Sequence, residues 1–514
     1  MKKHIFRNRK ARYASISVIL TVLVITVTIL TNYVFGMLAK RFEWYTSMLP
    51  TPNYDVSEAC YALLEDAYTE FASEGRATHT EIIFCDDEDG IAEDQALTYI
   101  LETAKALQAR FPEHITVQCY DTRTNPTYVK QYATTIDKET GEEVDVAIPR
   151  TSLIITNGNG YHRIYSRDDF YLIKSADSNF WAYNGDRIMA SGILRAIDPE
   201  QPIACFTLNH GEGFVTYDLV YLLDEAGYEV QTLDLYKDPI PDNCELIISY
   251  NPTSDLIADE ISAVSEIEKL EQFLAQPGKS FLAFIGNNTP SLPNYEAYLE
   301  TWGVDFSYHT AGKNSHRYMV GDAAGSLTTD GYTIYGEAAT EGNAAKLIDG
   351  LGRPAVFKNA TAMQNARTFV SSGDGSYQDG NRTMYALYTG ASSAMSWANG
   401  LAVSDADDAI LMSVTEQTLT GGSSYVGVIA STEFANEDLL QSVVYGNPHL
   451  LFRTLHIFGK TFTPEGVTAK PIQSSGISLI TTRQMLTWTI VLAAIPAVAA
   501  VTSGVLILVK RRRV

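Results

Sequence analysis

Five consecutive residues, Asn209, His210, Gly211, Glu212 and Gly213, bring an imidazole, a carboxylate and two glycines together at a spacing suited to ligand contact or proton transfer. They lie between an apolar strand-like run (IACFTLN) and a helical one (TYDLVYLLDEAG). In an open parallel sheet, ligands bind beyond the carboxyl ends of the strands, where helix N-termini present unbonded N–H groups. The loop stands in that position. On a chemical reading, His210 and Glu212 are an acid/base pair or ligand contacts. On a purely structural one, the glycines make a tight turn and Glu212 complements the helix dipole. The spacing approaches a dinucleotide fingerprint, but Thr216 occupies the third glycine position and Asp234 is only loosely placed as the ribose acid.

Other arrangements fall short of the chemistry they imitate. Gly278, Lys279 and Ser280 copy the end of a P-loop, yet Phe273 holds the first glycine position and the triplet follows a helix instead of opening one. The run Asp86, Asp87, Glu88, Asp89, Gly90 resembles a calcium loop, but aligning its glycine puts Cys85 and Ala96 at ligand positions one and twelve. It reads as a solvated loop. Gly390 to Ala394 lacks the second glycine of a nucleophile elbow, and His449 and His456, seven apart, read as packed or exposed residues on one helix. The five cysteines, Cys60, Cys85, Cys119, Cys205 and Cys244, show neither CxxC nor zinc-type spacing. Buried thiols are expected, with a bridge open for Cys85 and Cys119 or for Cys205 and Cys244 if their strands neighbour. No metal and no cofactor is expected.

The chain has 514 residues, with 38 Lys and Arg against 61 Asp and Glu. A net charge of −23 repels phosphate backbones, which argues against a nucleic-acid partner. The charge is unevenly distributed. Runs 13–39 and 484–509 are uncharged and apolar, each long enough at 1.5 Å per residue to cross a hydrocarbon core of ~30 Å. Basic residues precede the first run (1–12) and follow the second (510–514). The positive-inside rule then places both termini in the cytoplasm and the body between the runs outside it. The expected location is a cell membrane, crossed twice.

Between the spans the element pattern suggests two α/β domains. Residues 40–198 read helix, strand, helix, strand, short helix and hairpin, an order expected of a thioredoxin-like domain without its redox pair. Residues 199–470 alternate strands and helices as a flavodoxin-like, amidotransferase-like parallel sheet would, with an irregular insertion at about 305–420. None of the cysteines falls on a strand-to-helix elbow, so amidase chemistry does not follow.

The order of elements resembles the auxiliary protein of gliding-motility-type ABC transport systems. The likeness is carried by DVSEACYALLEDAYTEF, PIACFTLNHGEGFVTYDLVYLLDEAGYEVQTLDL, CELIISYNPTSDLIADEISAVSEIEKLEQFLAQPGKSFLAFIG and YVGVIASTEFANEDLLQSVVYGNPHLLFRTLHIFGK. Its most specific pieces are His210-Gly211-Glu212 and Gly446-Asn447-Pro448, with Asn209 standing where the family often carries glycine. The resemblance implies a non-catalytic auxiliary subunit that binds substrate or partner subunits, working with an ABC permease and a cytoplasmic ATPase. The competing expectations are an envelope hydrolase using His210 and Glu212, and a structural protein that contacts cell-wall polymer.

Overall fold

The computed structural model describes residues 55–472, except 137–142, 175–179, 214–216, 259–264, 312–313 and 399–400. The first lobe opens with helix α1 (Glu58–Ser73), whose cap Ser57 accepts the Cys60 N–H and which buries Cys60, Leu64, Ala67 and Phe71 on one face. Strand β1 (Thr80–Phe84), helix α2 (Gln95–Arg110) and strand β2 (Ile115–Cys119) follow. After them come β3 (Ser152–Thr156), β4 (His162–Ser166) and helix α3 (Gly185–Ile197). The sheet order is β2-β1-β3-β4, with β1 and β2 parallel and the other two pairings antiparallel. Leu64, Ile82, Phe84, Ile100, Leu153, Met189 and Ile193 close one core between this sheet and the three helices.

The second lobe begins with β5 (Ile203–Thr207), α4 (Tyr217–Glu225), β6 (Glu229–Leu233), β7 (Cys244–Tyr250), α5 (Glu266–Leu274) and β8 (Ser280–Phe284). It continues with β9 (Val370–Ser371), β10 (Ser376–Asp379), β11 (Arg382–Thr389), β12 (Ile410–Leu419), β13 (Gly422–Ile429) and helix α6 (Asn447–Ile457). These strands form the path β6-β5-β7-β8-β13-β12-β11-β10-β9 of a 12-stranded sheet. Strands β6 to β13 along that path are parallel, and from β13 outward every pairing is antiparallel. Alternation along the central strands sorts residues to two faces. Ala204, Phe206, Leu246, Ile248 and Leu282 join the core under α4 and α6, while Cys205, Ile247, Phe281 and Ala283 join the one under α5. Burial on both faces explains why these strands read as continuous apolar runs.

Two expectations from the sequence are overturned. Among the described residues, no helix is long and apolar enough to cross a membrane. The longest described helices, α1 and α2, have 16 residues, about 24 Å at 1.5 Å per residue, and both expose charged side chains. The flanking transmembrane helices, and the two-pass cell-membrane location with cytoplasmic ends drawn from them, are therefore not supported; runs 13–39 and 484–509 lie outside the described residues. The body is mixed α/β, and its large sheet is not the parallel one expected. The stretch read as an irregular insertion supplies β9 to β12, whose short turns allow antiparallel pairing where a parallel neighbour would need a crossover.

The lobes lie within one compact unit, Tyr54–Ile472. Arginines of the first meet the carboxyl end of α4 in the second: Arg163 pairs both carboxylate oxygens of Asp224 at 3.0 and 2.7 Å, Arg195 reaches the same side chain at 2.8 Å, and Arg187 pairs with Glu225 at 2.7 Å. The Gly446-Asn447-Pro448 stretch clasps two distant segments of the second lobe. Fully buried Asn447 accepts from Val356 N at 3.0 Å and donates to Val356 O at 2.8 Å and Phe434 O at 3.3 Å. A Cβ at Gly446 would stand 2.6 Å from Arg353 O, and Pro448 opens α6, where its missing N–H costs nothing. Asn447→Ala leaves buried donor and acceptor groups unmatched and is expected to destabilise the protein by about 3 kcal/mol in equilibrium denaturation.

Candidate functional site

Strands β5 and β7 are neighbours, and the chain leaves them toward opposite sides of the sheet, β6 lying beyond β5 and β8 beyond β7. This is the topological switch point, where open parallel sheets form their crevice. The Asn209–Gly213 loop leaves β5 there. Asn209 takes φ of +73° and Gly211 +66°, left-handed conformations that asparagine and glycine tolerate best. The Asn209 amide donates to the Asp234 carboxylate, which also holds Lys237 at 2.7 Å. Asp234 is thus committed to the loop and not presented to a ribose.

The loop is stapled to the segment that leaves β7. His210 O accepts from Thr253 N at 2.8 Å and Ser254 N at 2.7 Å, Thr253 Oγ1 donates to Gly211 O at 2.9 Å, and Gly213 N donates to Tyr250 O at 3.1 Å. A Cβ on Gly211 would run into Thr253 Oγ1, so glycine is required by contact as well as by conformation.

The His210 side chain points inward, and the residue is 6% exposed. Its Nδ1 lies 3.0 Å from Glu212 Oε1, and its Nε2 lies 3.0 Å from both oxygens of Glu266. The other Glu212 oxygen accepts the His210 backbone N–H at 2.8 Å. Glu266 is the first residue of α5, where the helix dipole favours a carboxylate. It also accepts Ile257 N at 2.8 Å and donates its own N–H to Ile257 O at 2.9 Å. Burial by itself would lower the His210 pKa, but hydrogen bonds to Glu212 and Glu266 outweigh it and raise the value to about 9. Burial likewise tends to raise Glu212, yet its bonds from His210 and the backbone hold it below the ordinary carboxylate value.

The structure therefore joins His210, Gly211, Glu212 and Gly213 into one closed turn and adds a member that the sequence did not reveal. Glu266 is 56 positions from His210, inside a run legible only as an amphipathic helix. Its position just after the capping Ser265 marks the helix start, not a histidine partner. The raised pKa favours the imidazolium at neutral pH, and among the described residues the ring's hydrogen-bond partners are these two carboxyl groups. Such a ring neither accepts a proton nor offers a free N–H.

The remaining sequence candidates are dispersed. Ser393 donates to Asp322 at 2.7 Å, and Asp87 caps a short helix by accepting Gly90 N at 2.9 Å. Lys279 donates to the backbone carbonyls of Asp242 and Cys244. His449 is buried and accepts Gly466 N at 3.3 Å, whereas His456 is exposed, so the two do not form one site. All five cysteines are free thiols.

No family model matches the chain, and no curated protein matches it. A solved structure of PurLQS from Thermotoga maritima is similar over 50% of this chain and 99% of its own length, at 14% identity and a TM-score of 0.26. A likeness at that score carries no argument about this chain.

Two outcomes follow for the turn. His210 has a higher pKa folded than its ordinary 6.5, so the stability it contributes is complete below that pH and is lost as pH rises through 9. The loss should be about 3 kcal/mol; unfolding free energies measured from pH 6 to 10 should show it in the native protein and not in His210→Gln. Gly211→Ala should destabilise by about 1–3 kcal/mol from backbone strain, with the contact against Thr253 Oγ1 adding to it, read as a lowered denaturation midpoint.

Proposed function

We propose that this chain is a non-catalytic auxiliary subunit of an ABC-type transport system, binding a substrate or the partner subunits. The observation that carries the non-catalytic part is the state of His210: both ring nitrogens are committed to Glu212 and Glu266, and its raised pKa keeps it protonated near neutrality. A general base must be free to accept a proton at its working pH. The geometry thus gives no support to a hydrolase built on His210 and Glu212. The transport part is supported by the sequence resemblance through the H-G-E and G-N-P pieces, in which the buried His210 and Asn447 here act as clasps. The expected partners are an ABC permease and a cytoplasmic ATPase, with no nucleic acid.

Affinity isolation of the tagged full-length chain after brief crosslinking in its own host, with quantitative mass spectrometry, tests the assignment. A P-loop ATPase and a multi-span permease should be enriched together over an untagged control. Enrichment of neither removes the transport assignment. His210→Gln should leave that enrichment intact wherever the variant folds, because the ring is a structural element in this reading.

A further inference from the structure

Lys460 follows helix α6 behind Gly459, whose φ of +106° ends the helix. Its backbone is fixed there: the N–H donates to Leu455 O at 3.0 Å, and the carbonyl accepts from His456 Nδ1 at 3.1 Å. The amine is held far less. Nζ donates to Gly227 O at 3.2 Å and lies 5.2 Å from the centre of the Tyr228 ring. Lys105, Lys237, Lys358 and Lys470 each hold a carboxylate, whereas among the described residues Lys460 has only that carbonyl to bond. An ammonium carries three donors, so two are left for another acceptor.

The residue is half-buried and lines a cavity of about 300 Å3 where α1, α3 and the carboxyl end of α4 converge, the lower end of the small-molecule range. Gly227, the carbonyl partner, lines the same cavity. Acidic residues outnumber basic ones around it: Glu70, Glu74, Asp198, Glu200 and Glu245 against Arg76, Arg195 and Lys460. An anion would meet those carboxylates, and a cation would meet the three basic groups. The occupant that fits is small, neutral and able to accept from an amine. Burial lowers the Lys460 pKa; Glu245 and Asp198 oppose that effect, and the Arg195 guanidinium adds to it. A desolvated lysine beside another cation is more readily the free amine, which is the nucleophilic form.

We propose that Lys460 captures a small neutral aldehyde in this cavity as an imine. The amine lone pair adds to the carbonyl carbon, a proton passes from nitrogen to the carbonyl oxygen, and the carbinolamine so formed loses water to leave a C=N bond. Amine and aldehyde become imine and water, with nothing oxidised or reduced, and hydrolysis returns both. Covalent capture of this kind is compatible with a subunit that turns nothing over. The inference does not rest on the transport reading, so either can fail without the other.

Reductive trapping on the full-length chain at pH 7 is the test, with glycolaldehyde as the neutral probe, glyoxylate as the anionic one and cyanoborohydride as the hydride donor that turns the imine into a stable secondary amine. Peptide-mapping mass spectrometry then compares Lys460 with Lys346, an exposed lysine outside the cavity. Although Lys460 is half-buried, glycolaldehyde should label it about fivefold or more faster than Lys346. With glyoxylate the ratio should fall toward one, because the acidic lining repels the carboxylate. Lys460→Arg should abolish the adduct and leave Lys346 labelling unchanged. A ratio near one with glycolaldehyde overturns the proposal. So does an undiminished ratio with glyoxylate, the result that a reactive amine outside the acidic cavity would give.

Discussion

A protonated imidazole closed between two carboxyl groups holds the rim of the large sheet together. His210 is the contact through which the turn after β5, the segment after β7 and the start of α5 become one unit. The three groups are buried, and each would be unfavourable there without the others. Around that contact the finer features are consequences. Gly211 must lack a side chain because Thr253 lies against it, and Asn209 must turn left-handed to bring His210 inward, with its amide anchored on Asp234.

The same device recurs wherever distant segments meet. Asn447 clasps Val356 and Phe434 with its amide, and three arginines of the first lobe grip Asp224 and Glu225 at the end of α4. These contacts give direction to a body whose apolar cores are numerous but unspecific in register. They also redirect the search for function. The residue groups most suggestive in the sequence are consumed by structure. Buried side-chain atoms left without a hydrogen-bond partner among the described residues, Asn184 Oδ1 among them, occur where no motif announces them.

Legibility in the sequence followed the range of the interaction. Helix α2, with Leu97, Ile100, Leu101, Ala104 and Leu107 at helical spacing, is apparent from local periodicity and is found over Gln95–Arg110. The strands IACFT and SFLAF are apparent as short β-prone apolar runs. The Cys205 and Cys244 strands do neighbour one another, yet both residues are free thiols with no disulfide between them. The region near 305–420 reads as irregular because Gly, Ser, Thr and Asn are scattered among its β-prone runs. Their pairing with β13 is a long-range event that composition does not encode. The expectation of flanking membrane helices came from hydropathy alone, and the described helices offer none.

By itself the sequence determined the α/β character, the positions of the main helices and parallel strands, and the glycines and asparagine that must turn at the His210 loop. All of these depend on neighbours a few residues apart. Only the tertiary structure decided that Glu266 faces His210, that five parallel strands continue into an antiparallel half, and that Asn184 of the first lobe faces Glu225 of the second. Charge state follows from which groups enclose a side chain, and those groups come from 56 positions away for Glu266 and from the other lobe for Asn184. The physical reason is long-range contact: the carboxyl groups of Glu212 and Glu266 outweigh the lowering effect of burial on the His210 ring, and which groups enclose a side chain is a property of the fold and not of the residue.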